Sequence, residues 1–173
     1  MKRSAPHLEY TFQHIFTQES VYNSLLRSDC RQLHQQISEV LESFLADEPG
    51  EGDTALVLAH HFEQSGDQRR ALEYLKHAAA HASATYANQE AKALYDQALA
   101  LLDQADYAAR WDILANQEKI LNRLGERDRQ ATVLTLMQTL AEVMADNVHL
   151  TITHNRRSNY FDRISEYQAA AEA

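Results

Sequence analysis

Residues 55–83 read ALVLAHHFEQSGDQRRALEYLKHAAAHAS, and this stretch decides the fold class. Ala55, Leu58, Ala59 and Phe62 recur at helical spacing and form one apolar stripe. Gly66 suits the left-handed position that ends a helix, and Asp67 suits the N-cap of the next, so the chain turns back at once. The second helix turns Ala71, Leu72, Leu75, Ala78, Ala79 and Ala82 inward and Gln68, Arg69, Glu73, Lys76 and His77 outward. A link this short forces the two helices antiparallel. Small residues at Ala59, Ala71 and Ala78 let the two backbones approach closely.

Working outward, the same period continues downstream. After Tyr86 a helix carries Ala91, Leu94, Tyr95, Ala98, Leu101 and Leu102. The stretch from about Tyr107 to Leu124 holds Ile113, Leu114, Ile120 and Leu121 and stops at Gly125. Another helix shows Val133, Leu134, Met137, Leu140, Ala141 and Met144, and a last pattern runs from about Val148 to Phe161. Upstream, Ser28 and Asp29 can cap a helix whose expected buried face is Leu33, Ile37, Val40, Leu41, Phe44 and Leu45. The run from Asp47 to Asp53, with Pro49, Gly50 and Gly52, reads as a loop. Tyr22, Leu25 and Leu26 form a further helical stripe, whereas Leu8, Tyr10 and Phe12 alternate with Glu9 and Thr11 as in a strand. A lone strand is unstable, so the expectation is either that the run is irregular here or that its partners lie on an upstream segment.

Composition agrees with an all-α chain. Only four glycines and two prolines occur in 173 residues, too few for a sandwich or barrel with many tight turns. The formal net charge of −9, with bases interleaved among acids, excludes a nucleic-acid module of the phosphate-binding kind. Cys30 is the single cysteine, so neither an internal disulfide nor a cysteine-based zinc site can form. No apolar run reaches the length of a membrane span, and Met1-Lys2-Arg3 is not followed by the apolar stretch of a signal peptide. A cytoplasmic location and no membrane contact are therefore the expectation.

The stretch from Ala55 to Ser83 resembles a tetratricopeptide repeat over nearly its full length. Leu58, Ala59 and Phe62 stand at the first-helix positions, Gly66-Asp67 at the turn, and Ala71, Leu75 and Ala78 at the second-helix positions. Ser83 replaces the usual terminal proline. A second copy places Ala91, Tyr95 and Ala98 in corresponding roles. A third near Gly125 has Gln130 where alanine is expected, and a fourth begins at Ser158, Phe161, Tyr167 and Ala170 and is cut off. The resemblance implies antiparallel hairpins stacked as a right-handed solenoid over residues 54–173.

Residues 1–46 look like the junction between a winged helix and tetratricopeptide repeats in large bacterial signalling ATPases. The positions that fit are Phe12, His14, Gln18, Glu19, Tyr22, Leu25, Leu26, Leu33, His34 and Leu41, whereas Cys30 stands where a basic residue is usual. This resemblance implies a fragment or truncated relative of a multidomain regulator. The Leu8–Phe12 run would be the last strand of the winged helix.

No catalytic set is visible. His77 and His81 lie four apart, with His60 and His61 nearby, but no HExxH glutamate accompanies them, and a solvated histidine-rich surface is the reading preferred to a metal enzyme. His14 and His34 lack a nucleophile or paired carboxylate and read as packing and hydrogen-bonding residues. No GxxxxGK phosphate loop is present. The expectation is a non-enzymatic module without cofactor or metal, binding a partner protein or an upstream domain of its own polypeptide. A small-molecule inducer sensor is the alternative. His61, Gln64, Trp111, Gln117 and Asn155 are the candidate exposed partner-binding residues, with Trp111 read as a core plug before a binding anchor. Apolar ends at Tyr10, Phe12, Phe161 and Tyr167 lead to the expectation of a homodimer.

Overall fold

The computed structural model describes residues 20, 22–45 and 52–172, the side chains of 45 and 166–172 excepted. The Leu8–Phe12 run, His14, most of the Asp47–Asp53 loop and the Tyr167 side chain lie outside the described residues. A short helical turn at 22–24 leads into seven helices. These are α1 (Arg27–Leu45), α2 (Gly52–Ser65), α3 (Gln68–Ala84), α4 (Asn88–Leu101), α5 (Tyr107–Leu124), α6 (Arg127–Val143) and α7 (Asn147–Glu172). Among the described residues there is no strand, and each helix packs chiefly against its neighbours in the chain. The all-helical reading of the sequence holds.

Four of the links share one backbone device. Gly66, Tyr86, Gly125 and Ala145 have left-handed φ of 91°, 62°, 72° and 51°. In each, the next residue's amide reaches back to a carbonyl near the helix end: Asp67 to Phe62, Ala87 to Ala82, Glu126 to Leu121 and Asp146 to Ala141, at 2.9–3.1 Å. This wrap satisfies carbonyls that a helix end would leave unpaired. Glycine adopts the conformation freely, whereas Tyr86 and Ala145 hold it at a cost of roughly 1–2 kcal/mol. Asp67 then caps α3, its side chain accepting the Arg70 amide at 3.0 Å, and Asp106 caps α5 through Ala109 at 3.1 Å.

The middle helices bury the stripes expected of them. Leu58, Phe62, Ala71, Ala79, Ala91, Ala98 and Ile120 are all fully inaccessible. Gln130, at the position where alanine was expected, is also buried, and its amide donates to Glu118 Oε1 at 2.7 Å. Arg156 of α7 donates to the other Glu118 oxygen at 3.0 Å, so a polar trio holds α5, α6 and α7 together where an alanine contact would otherwise stand.

Three sequence expectations need correction. Leu33, Ile37, Val40 and Phe44 are exposed, while His34 and Ser38 are the buried residues of α1. The Leu26 carbonyl accepts the Asp29 and Cys30 amides, so α1 starts at Arg27, two or three residues earlier than a Ser28 or Asp29 cap would allow. The last pattern does not end near Phe161, because α7 is one 26-residue helix. It contains neither Gly nor Pro, and Ser165 turns its hydroxyl onto the Phe161 carbonyl of the same helix.

Candidate interaction groove

A cavity of about 620 Å³ opens between α2 and α4, with Leu75 of α3 in its lining. Leu56 and Val57 stand beside the buried stripe of α2 and are 37% and 46% exposed. Their side chains, with Leu101 of α4, make the apolar part of the groove, and His60, Glu63 and Gln97 supply its polar groups. An apolar surface with a few convergent polar groups suits a side chain or ligand with an apolar body and a polar end. None of the lining residues is a serine, threonine or cysteine.

Next to the groove, α1 meets α2 through imidazoles. His34 Nδ1 and His61 Nδ1 lie 2.8 Å apart, and His34 Nε2 lies 3.0 Å from Tyr22 Oη. One of the two Nδ1 atoms donates and the other accepts, which both rings can do only if one of those nitrogens is unprotonated. The His60 ring stands edge-on to both, with centroids at 5.9 Å and 5.5 Å. Burial pushes His34 below the usual imidazole range, with the nearby His60 adding to it. Burial likewise lowers His61, with His34 and then His60 contributing.

Further along the same seam, Arg70 donates to Asp67 at 2.7 Å and to Glu42 at 3.2 Å, and Tyr74 donates to Glu42 at 2.7 Å. The backbone amide and guanidinium of Arg70 hold the Asp67 carboxyl below its ordinary range. Burial, and then the Glu42 carboxylate, push the Tyr74 hydroxyl up to about 12.

The five sequence candidates do not converge. His61 is half-buried and spent on His34. Gln64 is exposed and lines a second cavity of about 680 Å³ with Tyr22 and His34. Trp111 is buried, donates to Thr153 at 3.2 Å and stands edge-on to His149, so it is the core plug and not an exposed anchor. Gln117 is also buried, its amide donating to Asp96 at 2.6 Å, which corrects its expected exposure. Asn155 is exposed on α7. The groove residues Leu56, Val57 and Gln97 were not among the candidates. Their signal lies in the sequence, because Leu56 and Val57 are apolar residues off the stripe set by Leu58 and Phe62.

His77 and His81 are exposed. Among the described residues no three His, Cys, Asp or Glu side chains are grouped so as to hold a metal ion, and no helix is long and apolar enough to cross a membrane. No family model, curated protein or solved structure matches the chain.

Proposed function

We propose that this chain is a non-catalytic protein-binding module, a tetratricopeptide-like right-handed stack of helical hairpins from a multidomain signalling regulator. Its occupant is a segment of a partner protein or of an upstream domain of the same polypeptide. The observation that carries the reading is the groove between α2 and α4, where Leu56 and Val57 are exposed beside His60, Glu63 and Gln97. Apolar side chains kept at the surface of a groove rather than in the core mark a contact surface. The shared turns at Gly66, Tyr86, Gly125 and Ala145 support a repeat architecture, since the same helix-stop recurs along the chain. The link between Tyr22 and His34 fits the packing and hydrogen-bonding role read for His34.

A peptide library displayed on phage tests this directly. Panning on the full chain should enrich related sequences that fail to bind Val57→Glu, a substitution at an exposed position that leaves the helical circular dichroism unchanged. No enrichment, or equal binding to both proteins, would overturn the groove as the site. The cavity volume also lies within the range of small-molecule pockets, about 300–1,000 Å³, which favours an inducer sensor as the second reading. A thermal-shift screen against small polar metabolites separates the two, because a ligand specific to the folded state raises the melting temperature.

A further inference from the structure

Helices α5 and α7 are bridged by polar side chains. Glu118 of α5 accepts from Arg156 of α7 at 3.0 Å, and one turn on, Asn122 accepts from Arg163 at 3.2 Å, so the two helices run in the same direction. A cavity of about 660 Å³ opens along this seam, and every side chain in its lining is polar or charged, Tyr160 included. It shares no lining residue with the groove between α2 and α4, whose walls are largely apolar. A cavity without an apolar wall offers nothing to a hydrophobic side chain. Its charges are unevenly satisfied. Glu118 is buried and neutralised by Arg156, and Gln130 donates to its other oxygen. Lys119 and Arg163, by contrast, bond only neutral amides among the described residues. Lys119 reaches Asn116 Oδ1 at 3.2 Å, and Arg163 reaches Asn122 Oδ1. That same Asn122 oxygen accepts Arg127 at 2.8 Å, which brings the two guanidinium groups within about 6 Å of each other.

We infer that this cavity binds a dianionic phosphate group, carried by a phosphorylated side chain or by a small phosphorylated molecule, between Lys119 and Arg163. Like charges held close together cost free energy, and an anion set among them relieves it. Arg163 spends one nitrogen on Asn122, which leaves the rest of its planar fork for two oxygens of one phosphate. Lys119 adds a point charge from the other helix. Asn159, whose side chain has no hydrogen-bond partner among the described residues, and the amide nitrogen of Asn122 supply neutral donors. Asp162 is the carboxylate of the lining that opposes an anion. With Glu118 and Arg156 cancelling, Lys119 and Arg163 outweigh it, and Arg127 stands behind Asn122 as a further cation. A phosphate monoester carries about −1.5 to −2 charges at neutral pH and three strong acceptor oxygens. That matches two cations and several amide donors better than a carboxylate, with one charge and two oxygens, does. The chain as a whole is at −9, so these local groups and not the overall field hold the anion.

Amide chemical shifts of the full chain at low ionic strength, during titration with N-acetyl-O-phosphoserine amide and separately with glycerol 3-phosphate, test the site. Both esters should move resonances around Lys119, Asn122 and Arg163 and leave those of α2 to α4 in place. Tighter binding of the phosphoserine amide assigns the phosphate to a protein side chain, and tighter binding of glycerol 3-phosphate assigns it to a small molecule. Equal binding assigns the phosphate group itself. Arg163→Gln, at an exposed position, should weaken either ester about tenfold while leaving the circular dichroism unchanged. Asp162→Asn, also exposed, should tighten binding by about two- to fivefold, which loss of a merely structural residue would not do. Absence of shifts at millimolar ester, equal binding of N-acetylaspartate amide, or undiminished binding by the Arg163→Gln variant would each overturn the proposal.

Discussion

Helices α1 and α3 are both amphipathic and of similar length, 19 and 17 residues, yet they meet their neighbours in opposite senses. α3 buries Ala71, Leu75, Ala78, Ala79 and Ala82 and shows its charges to solvent. α1 shows Leu33, Ile37, Val40 and Phe44 to solvent and turns His34, Ser38 and Glu42 to the rest of the chain. An apolar period therefore establishes that a helix has a face to cover. It does not say which element covers it. In α3 a two-residue turn delivers the partner helix directly onto the stripe. At α1 the seam is made by hydrogen bonds, ion pairs and the Leu41 side chain, and among the described residues the stripe stays exposed.

The strongest way to break this contrast is to remove one aromatic from each side of it. Phe62 is fully buried, stacks on Tyr74 at 5.5 Å and lies under Arg70. Phe62→Ala should cost about 3–5 kcal/mol in urea unfolding. Phe44→Ala, measured on dilute protein, should stay within about 0.5 kcal/mol, as exposed positions do. Equal losses would mean that the α1 stripe is packed within the monomer.

Polar contacts inside the molecule provide a second, smaller test. Glu118→Ala leaves Gln130 without its acceptor and Arg156 with only the Ala115 carbonyl. A loss of about 1–3 kcal/mol is expected, and the double variant Glu118→Leu/Gln130→Leu should recover part of it. Turn chemistry should matter less. Ala145→Gly removes the strain of a left-handed alanine and should raise stability by about 0.5–1 kcal/mol, whereas Gly125→Ala should lower it by a similar amount in thermal melts.

The smallest expected effect is on pH dependence. His34 and His61 have lowered folded-state values, so as pH falls through 6.5 the unfolded chain takes up protons before the folded one. Their contribution is complete above pH 6.5 and is lost as the pH falls toward the folded values. Amide exchange in α1 should speed up at pH 5.5 relative to α3, after correction for intrinsic rates, and His61→Gln should flatten that difference.

Much of the middle of the molecule was legible residue by residue. Phe62, Ala71, Leu75, Ala91 and Ala98 lie where helical spacing places them, and Gly66-Asp67 makes the turn it suggests. Tyr86 and Ala145 make the same turn without glycine, because the flanking helices impose a conformation that these residues do not favour by themselves. The candidate site was less legible. Gln117 looks like a contact residue in a one-dimensional pattern, but Asp96, 21 positions away, satisfies it inside the structure, whereas Trp111 is the core plug its sequence reading preferred, bonded to Thr153 42 positions away.

Sequence alone determined the helical class, the stripes and two of the turn residues, because periodicity, glycine and N-cap chemistry act within a few residues of the chain. Tertiary structure alone decided which stripe meets which. That choice depends on groups far apart in sequence, such as His34 with His61 and Glu42 with Arg70 and Tyr74. It therefore left α1 with its apolar seam outward and opened the groove between α2 and α4.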